Sequence, residues 1–383
     1  MEKSAKVMFA GGGTAGHLLP AISVAEALVE KGVEKTNIFF MGTKFGQDSV
    51  ILESAGFKSY VLNIKGIKRE FSIYSLKSGI KLITSLIAAT KILNAEKPQI
   101  VLAVGGFASI PGGIASVFKG IPLIVINIDA HPGAANRVLS KFSKITTVTE
   151  PTPKIKNSSV VGTPLRRGVF SAFDRVRMLG VSAVKEKFGV SGYEKIVLIV
   201  GGSLGSKTLN VAAPLLAETL NKYCESLGEP PPAVVHIAGR RGINEVDKSI
   251  EINNYFLREY VDEIELLYAV ANLIICRAGA STVAEVAALH LPAIFVPLPN
   301  APGDHQRMNV MKLEKVKGAL IVSDQEVGSG ILDELVPKLL FDSVRLESMS
   351  EALEKISDSD GADKIAEMAL NLIVSKQKQK KVN

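Results

Sequence analysis

The chain has 383 residues, 47% of them hydrophobic and 22% charged, with a formal net charge of +7 and a pI near 9.1. That length exceeds the ~250–300 residues at which a single core stops growing, so two domains are expected. No apolar run approaches the ~18–20 residues of a membrane-spanning helix, the opening MEKSAKVMFAGGGTAGH leads into a strand and turn rather than a secretory leader, and Cys224 and Cys276 are too few for a disulfide framework, so a reducing, cytoplasmic setting is expected.

Taken in chain order, KVMFA (6–10) reads as a buried strand, followed by a helix from about His17 to Lys31 and a second strand NIFFM (37–41). QIVLAV (99–104) and PLIVIN (122–127) are further strands, separated by the small-residue segment SIPGGIASVFKG. After PTPK, VGTPLRRGVF and a charged helical stretch at 174–188, the same alternation restarts at KIVLIV (195–200). It continues through AVVHIA (233–238), NLIIC (272–276), AIFVP (293–297) and ALIVS (319–323). Alternating strands and helices predict parallel sheets covered on both faces. The expected fold class is α/β, two Rossmann-like, doubly wound domains facing across a cleft. Their expected spans are 1–165 and 166–350, with 351–383 a C-terminal helix and basic tail packing back on the first domain; the final SKQKQKKVN is expected to fray.

Open α/β sheets bind ligands beyond the carboxyl ends of their strands, and four of the turns there are unusual. GGGTAGH (11–17) has the glycines that let a backbone approach a phosphate or sugar, and it opens a helix. Gly11, Gly13 and Gly16 satisfy GxGxxG, but FFMGTKFG at the next strand end offers no acid for a ribose, which argues against NAD. His17 is a general base facing the cleft or else a cap or packing residue. VGGFASIPGG (104–113) is a second glycine turn, needed for positive φ or for ligand contact. VGGSLGSKTLN (200–210), with Ser203, is a third, and without GxxxxGK[ST] it argues against an ATPase. CRAGASTVAEVAALHLPAIFVPLPNAPGDHQRMN (276–309) is the richest. Its RAGAST turn, with Ser281 and Thr282, can hold a diphosphate at a helix start. Glu285 suits a ribose diol, or else complements the helix dipole. Gln306, whose amide both donates and accepts, suits a sugar hydroxyl.

Taken together, GGGTAGHLLPAISVAEAL, VGGFASIPGG, PGAANR, VGTPLR, GGSLGS, YVDEI, CRAGASTVAE and DHQRMN resemble, in order and spacing, the MurG family of bacterial peptidoglycan glycosyltransferases, glycosyltransferase family 28. The resemblance runs from about residue 6 to residue 340. It implies a GT-B fold and inverting transfer of N-acetylglucosamine (GlcNAc) from UDP-GlcNAc to lipid I, undecaprenyl-pyrophosphoryl-MurNAc-pentapeptide, giving lipid II. It assigns His17, with Thr14, Ala15 and Gly16, to the acceptor side. It makes Arg166 a nucleotide contact, Ser203 a donor contact, and Val261 a uracil contact through its backbone. Ala280, Ser281 and Thr282 correspond to the diphosphate loop, Glu285 to the ribose carboxylate and Gln306 to the GlcNAc contact. One departure stands out. Where the family shows HEQN or a close variant, this chain has INID at 126–129, with Asp129 in place of an asparagine facing the acceptor; a carboxylate near His17 would raise its basicity or mark an altered acceptor.

The chemistry then needs a proton acceptor, His17 with Asp129 as helper or rival, and charge stabilisation on departing UDP by the RAGAST helix start and Arg166. No metal and no cofactor are expected. The stretch 63–93, with Lys65, Lys68, Arg69, Lys77 and Lys81 beside Ile67, Phe71, Ile73, Tyr74 and Leu76, reads as a helix lying on the anionic inner leaflet or as a core helix with a solvated basic face. The expected location is peripheral, at the cytoplasmic face of the cell membrane. Dispersed basic residues, no recognised motif, no Trp and seven Tyr argue against nucleic acid. The alternatives are a related GT-B enzyme with a different lipid or small-molecule acceptor, a UDP-GlcNAc 2-epimerase, and a non-enzymatic nucleotide-sugar binder.

Overall fold

The computed structural model describes residues 4–43, 48–62, 74–202, 205–246, 251–356 and 361–382. It divides into two compact units, one of Met1–Arg166 with Ser359–Asn383 and one of Arg167–Asp358.

Unit 1 holds a seven-stranded parallel sheet: β1 (Val7–Ala10), β2 (Ile38–Thr43), β3 (Lys58–Leu62), β4 (Ile100–Ala103), β5 (Leu123–Asn127), β6 (Ile145–Val148) and β7 (Ser159–Val160). Its spatial order is β3-β2-β1-β4-β5-β6-β7. Unit 2 holds β8 (Ile196–Val200), β9 (Ala233–Ile237), β10 (Tyr255–Arg258), β11 (Leu273–Cys276), β12 (Ala293–Phe295) and β13 (Ala319–Ile321), in the order β10-β9-β8-β11-β12-β13. Both are doubly wound sheets whose order reverses next to the first strand, between β1 and β4 and between β8 and β11. The central strands are continuous apolar runs because helices cover both faces; β1, β4, β5 and β8 are buried at every position.

Register places Ala10 beside Ala103 and Cys276 beside Val200. The four glycine-bearing turns singled out in the sequence therefore leave their sheets in two adjacent pairs, one pair at each switch point. In unit 1 the segment SIPGGIASVF is a helix, Ser109–Phe118, lying against β1. A Cβ on Gly112 would sit 2.6 Å from the Cβ of Ala10, and one on Gly113 would sit 2.7 Å from Leu139 Cδ2. These two glycines are thus packing residues.

The C-terminal helix, Gly361–Val382, packs on the first helix, Ala15–Glu30. Ala362, Ile365, Ala366 and Ala369 are buried along it, and Lys31 pairs with Glu367 at 2.8 Å. The basic end expected to fray is helical to Val382, and Lys376 donates to the carbonyl of Gly120 at 2.5 Å. That bond ties the polar segment to the turn after the helix Ser109–Phe118.

Candidate active site

At the unit 1 switch point the two glycine turns pack backbone against backbone. Gly11 and Gly105 have φ of +142° and +91°, and a Cβ on Gly11 would fall 2.6 Å from the Gly105 carbonyl oxygen. A Cβ on Gly106 would fall 2.6 Å from that of Gly12. Close approach between turns and positive φ, rather than a ligand alone, require these glycines.

That approach seats His17. It is the third residue of the helix Ala15–Glu30, half-buried, with Nδ1 2.9 Å from the Thr14 hydroxyl. Its ring lies over Gly105: a Cβ there would be 2.8 Å from Cδ2 and 3.2 Å from Nε2. The same Cβ would be 3.5 Å from Nδ2 of Asn136, so His17 and Asn136 flank one glycine. Asn136 Nδ2 donates to Asn127 Oδ1 at 3.1 Å, and Asn127 Nδ2 donates to the carbonyl of Asp129 at 2.7 Å. A polar chain thus runs from beside His17 to the turn carrying Asp129. Asn136 is 6% exposed and its Oδ1 has no hydrogen-bond partner among the described atoms, so it can accept one from a ligand. Sequence reasoning passed over both asparagines; the signal was PGAANR, noticed only as part of the family pattern. Ala15 and Gly16 open the helix beside His17. Arg166, half-buried, ends the unit's first segment just before the short helix Arg167–Phe170.

Unit 2 pairs its glycine turns differently: the turn after β8 packs on the turn after β9, away from the switch point. Gly205 and Gly239 have φ of +87° and +81°; a Cβ on Gly205 would meet the Ala238 carbonyl at 2.5 Å and one on Gly239 would meet Gly205 N at 2.5 Å. Ser206 then caps the helix Lys207–Leu227, its hydroxyl accepting from Leu209 N at 3.4 Å. Ser203 lies outside the described residues.

Beyond β11, Gly279 is the extended N-cap (φ −65°, ψ 142°) of the helix Ala280–Ala288. Ala280, Ser281 and Thr282 form its first turn, at the positive end of the helix. Glu285 is in the second turn and 7% exposed. It lies close enough to Cys276 to add to the effect of burial in pushing that thiol's pKa up. Val261 follows β10, just ahead of Glu263, whose φ of +50° is unusual for a residue with a Cβ. Glu263 forms ion pairs with Lys187 and Arg175, which hold its carboxyl below the usual range. Gln306 is the second residue of the helix His305–Lys315 that follows β12, and it accepts from Leu298 N at 2.8 Å through Oε1. That bond fixes the amide's orientation and takes one lone pair of its oxygen, leaving the second lone pair and the NH2 for a ligand. Asn309, one turn on, donates to the Ala278 carbonyl at 3.2 Å and ties this helix to the RAGAST turn. Among the described residues no group of three or more His, Cys, Asp or Glu is arranged to hold a metal ion.

Two doubly wound sheets with ligand-ready turns at each switch point define a GT-B protein of the nucleotide-sugar-using class. A family model for the glycosyltransferase family 28 N-terminal domain matches residues 7–148, and one for the family 28 C-terminal domain matches residues 196–365. The chain belongs to glycosyltransferase family 28. A relative from Nocardioides is 32% identical over 96% of this chain and 98% of its own, and one from Shewanella frigidimarina is 30% identical over 96% and 97%. Both are named UDP-N-acetylglucosamine–N-acetylmuramyl-(pentapeptide) pyrophosphoryl-undecaprenol N-acetylglucosamine transferase. The crystal structure of Acinetobacter baumannii MurG matches with a TM-score of 0.71 at 25% identity over 96% of this chain and 99% of that one. A Neisseria meningitidis UDP-GlcNAc 2-epimerase bound to UDP-GlcNAc shares the fold, with a TM-score of 0.62 at 16% identity over 97% and 100%.

Proposed function

We propose that this chain is an inverting hexosyltransferase that moves GlcNAc from UDP-GlcNAc to lipid I, releasing UDP and forming lipid II. The observation that carries this reading is agreement along almost the whole chain with relatives bearing that one name. A different chemistry, 2-epimerisation, occurs on the same fold in a protein of much lower identity.

In this reading a sugar hydroxyl of the acceptor attacks the anomeric carbon of the donor, its proton leaves to a base, and the glycosidic oxygen departs with UDP. His17 is the base. If its Nδ1–H donates to Thr14, Nε2 over Gly105 carries the lone pair that takes the proton. Thr14, Ala15, Gly16 and Asp129 frame the acceptor, and the Asn127–Asn136 chain anchors the turn that carries Asp129 through its backbone carbonyl. Charge developing on the diphosphate is met by the first-turn N–H groups of Ala280, Ser281 and Thr282, by Ser203 and by Arg166. Glu285 takes the ribose diol, the Val261 backbone the uracil, and the Gln306 NH2 a GlcNAc hydroxyl.

The acceptor's lipid tail places the enzyme at the cytoplasmic face of the cell membrane as a peripheral protein. No helix among the described residues is long and apolar enough to cross a bilayer. The side chains of Lys65 through Lys81 that suggested a membrane-facing helix lie outside the described residues, but the remainder of that helix exposes Ile83 and Ile87, at 59% and 52%. Elsewhere on unit 1, Val117, Phe142 and Lys144 line one cavity of about 600 Å³ with Leu372 and Lys376. Phe118, 82% exposed, and Lys119 adjoin Val117. Apolar side chains among lysines suit an anionic lipid surface. UDP release with lipid I, diacylglycerol or no acceptor, with and without anionic liposomes, tests both statements. Release only with lipid I supports the acceptor. Equal, negligible co-sedimentation with neutral and anionic vesicles defeats the membrane reading.

A further inference from the structure

An arginine preceding a diphosphate-type turn invites assignment as a phosphate ligand, and Arg277 of CRAGAST is such a residue. Its surroundings point elsewhere. The side chain is only 12% exposed. Nη1 donates to the carbonyls of Val296 at 3.1 Å and Pro297 at 3.3 Å, at the end of β12, and to the carboxylate of Asp324. The other oxygen of Asp324 accepts from the hydroxyl of Thr208 at 2.6 Å. Thr208 is the second residue of the helix that opens after the Gly201–Ser206 turn.

Asp324 is itself held still. It opens the helix Asp324–Gly328 behind Ser323, whose hydroxyl accepts from Glu326 N at 3.2 Å while the Glu326 carboxylate accepts from Ser323 N at 2.7 Å. This reciprocal cap fixes the first turn that presents the Asp324 carboxylate.

From this arrangement we infer that Thr208, Asp324 and Arg277 form a relay that positions the donor-binding turns, and that Arg277 is a positioning residue rather than a ligand of the diphosphate. One guanidinium links the turn after β11 to the end of β12, and through Asp324 to the turn after β13 and the helix start after β8. The two turns flanking the switch point, the glycine turn after β8 and the RAGAST loop after β11, are thereby set at one spacing. An arginine fork is suited to this because its donors are rigidly disposed and it stays charged at any working pH. Asp324 also neutralises a cation that would otherwise draw the diphosphate out of register with the backbone N–H groups of Ala280–Thr282. The inference rests on the proposed donor site.

The test uses the full chain with Asp324→Asn, Thr208→Val, Thr208→Ser, Arg277→Lys and the double variant Arg277→Lys/Asp324→Asn. UDP and uridine affinities are measured by calorimetry, and amide exchange is followed without ligand over residues 205–209 and 278–283. The relay predicts that Asp324→Asn and Arg277→Lys each weaken UDP by about tenfold, the scale of one charge-assisted hydrogen bond. The double variant should be no weaker than either single one, because both changes break the same link. Thr208→Val should weaken UDP about threefold and Thr208→Ser not at all. Uridine affinity should stay unchanged in every variant, and the two amide segments should exchange faster in Asp324→Asn. If Arg277→Lys weakens UDP while Asp324→Asn tightens it or leaves it unchanged, Arg277 is a phosphate ligand and the relay is overturned. Unaltered exchange in Asp324→Asn overturns it as well. Failure of the unaltered protein to bind UDP would instead sink the donor-site reading, with the exchange measurement still judging the relay.

Discussion

Replacing Gly105 with alanine probes the geometry that seats the proposed base. The backbone there has φ of +91°, which costs an L-residue roughly 1–2 kcal/mol. The new Cβ would stand 2.8 Å from His17 Cδ2, short of the 3.4 Å at which ordinary contact begins, so the imidazole must retreat by about 0.6 Å or turn. Misplacement on the order of 1 Å at a reacting group costs roughly 10²-fold in rate. We expect kcat to fall on the order of 10- to 100-fold. UDP affinity should hold, because the residues assigned to UDP lie beyond this turn. The melting temperature should fall by about 2–4 °C per kcal/mol of strain. Gly228→Ala supplies the control: its φ is +69°, yet nothing lies within 4 Å of the added Cβ. It should lower stability comparably and leave kcat alone. Steady-state transfer to lipid I, calorimetry with UDP and thermal unfolding read the three quantities. Full turnover in Gly105→Ala, with the expected loss of stability, would refute the claim that His17 acts from above this glycine.

His17→Ala should cut kcat by about 10²–10⁴-fold with little change in UDP affinity; a matching loss of both would move His17 out of the base's role. Glu285→Gln should weaken UDP-GlcNAc through KM more than kcat, and equal affinity for uridine and deoxyuridine in the unaltered protein would remove the ribose contact. Buried His236, bridged by Tyr255 at 2.6 Å and Asn210 at 3.1 Å, has its pKa pushed down by burial to about 4. The unfolded chain, near 6.5, takes up that proton first, so the stability tied to a neutral His236 is complete above pH 6.5 and drains away as pH falls towards 4. The loss amounts to about 3 kcal/mol. Urea unfolding across that window should show it, and His236→Gln should flatten the curve relative to the unaltered protein.

The two sheets were legible because parallel strands buried on both faces leave uninterrupted apolar runs, as in KVMFA and KIVLIV. β3, KSYVL, was not, because its burial is partial and its first two residues, Lys58 and Ser59, are polar. A helix after the Gly105–Gly106 turn was legible from that turn, but its bounds were not, because its glycines weaken helix propensity yet permit close packing on Ala10 and Leu139. In the site, the turn glycines and Glu285 announced themselves by position after a strand. The roles of Gly105 and Gly106 did not, since only coordinates reveal that one turn lies against another. The Asn136–Asn127 chain and the Arg277–Asp324–Thr208 link join residues up to 116 positions apart and carry no local pattern. Gln306 was recognised as an amide suited to sugar, but the bond its Oε1 accepts from Leu298 N is one that side-chain identity does not disclose.

Incubation of the purified chain with UDP-GlcNAc and lipid I, with the lipid product identified by mass and by the configuration of its new linkage, asks the central question directly. The account predicts one GlcNAc added per lipid I with β configuration and one UDP released for each. Formation of UDP-ManNAc, transfer only to another acceptor, or an α-linked product would contradict it.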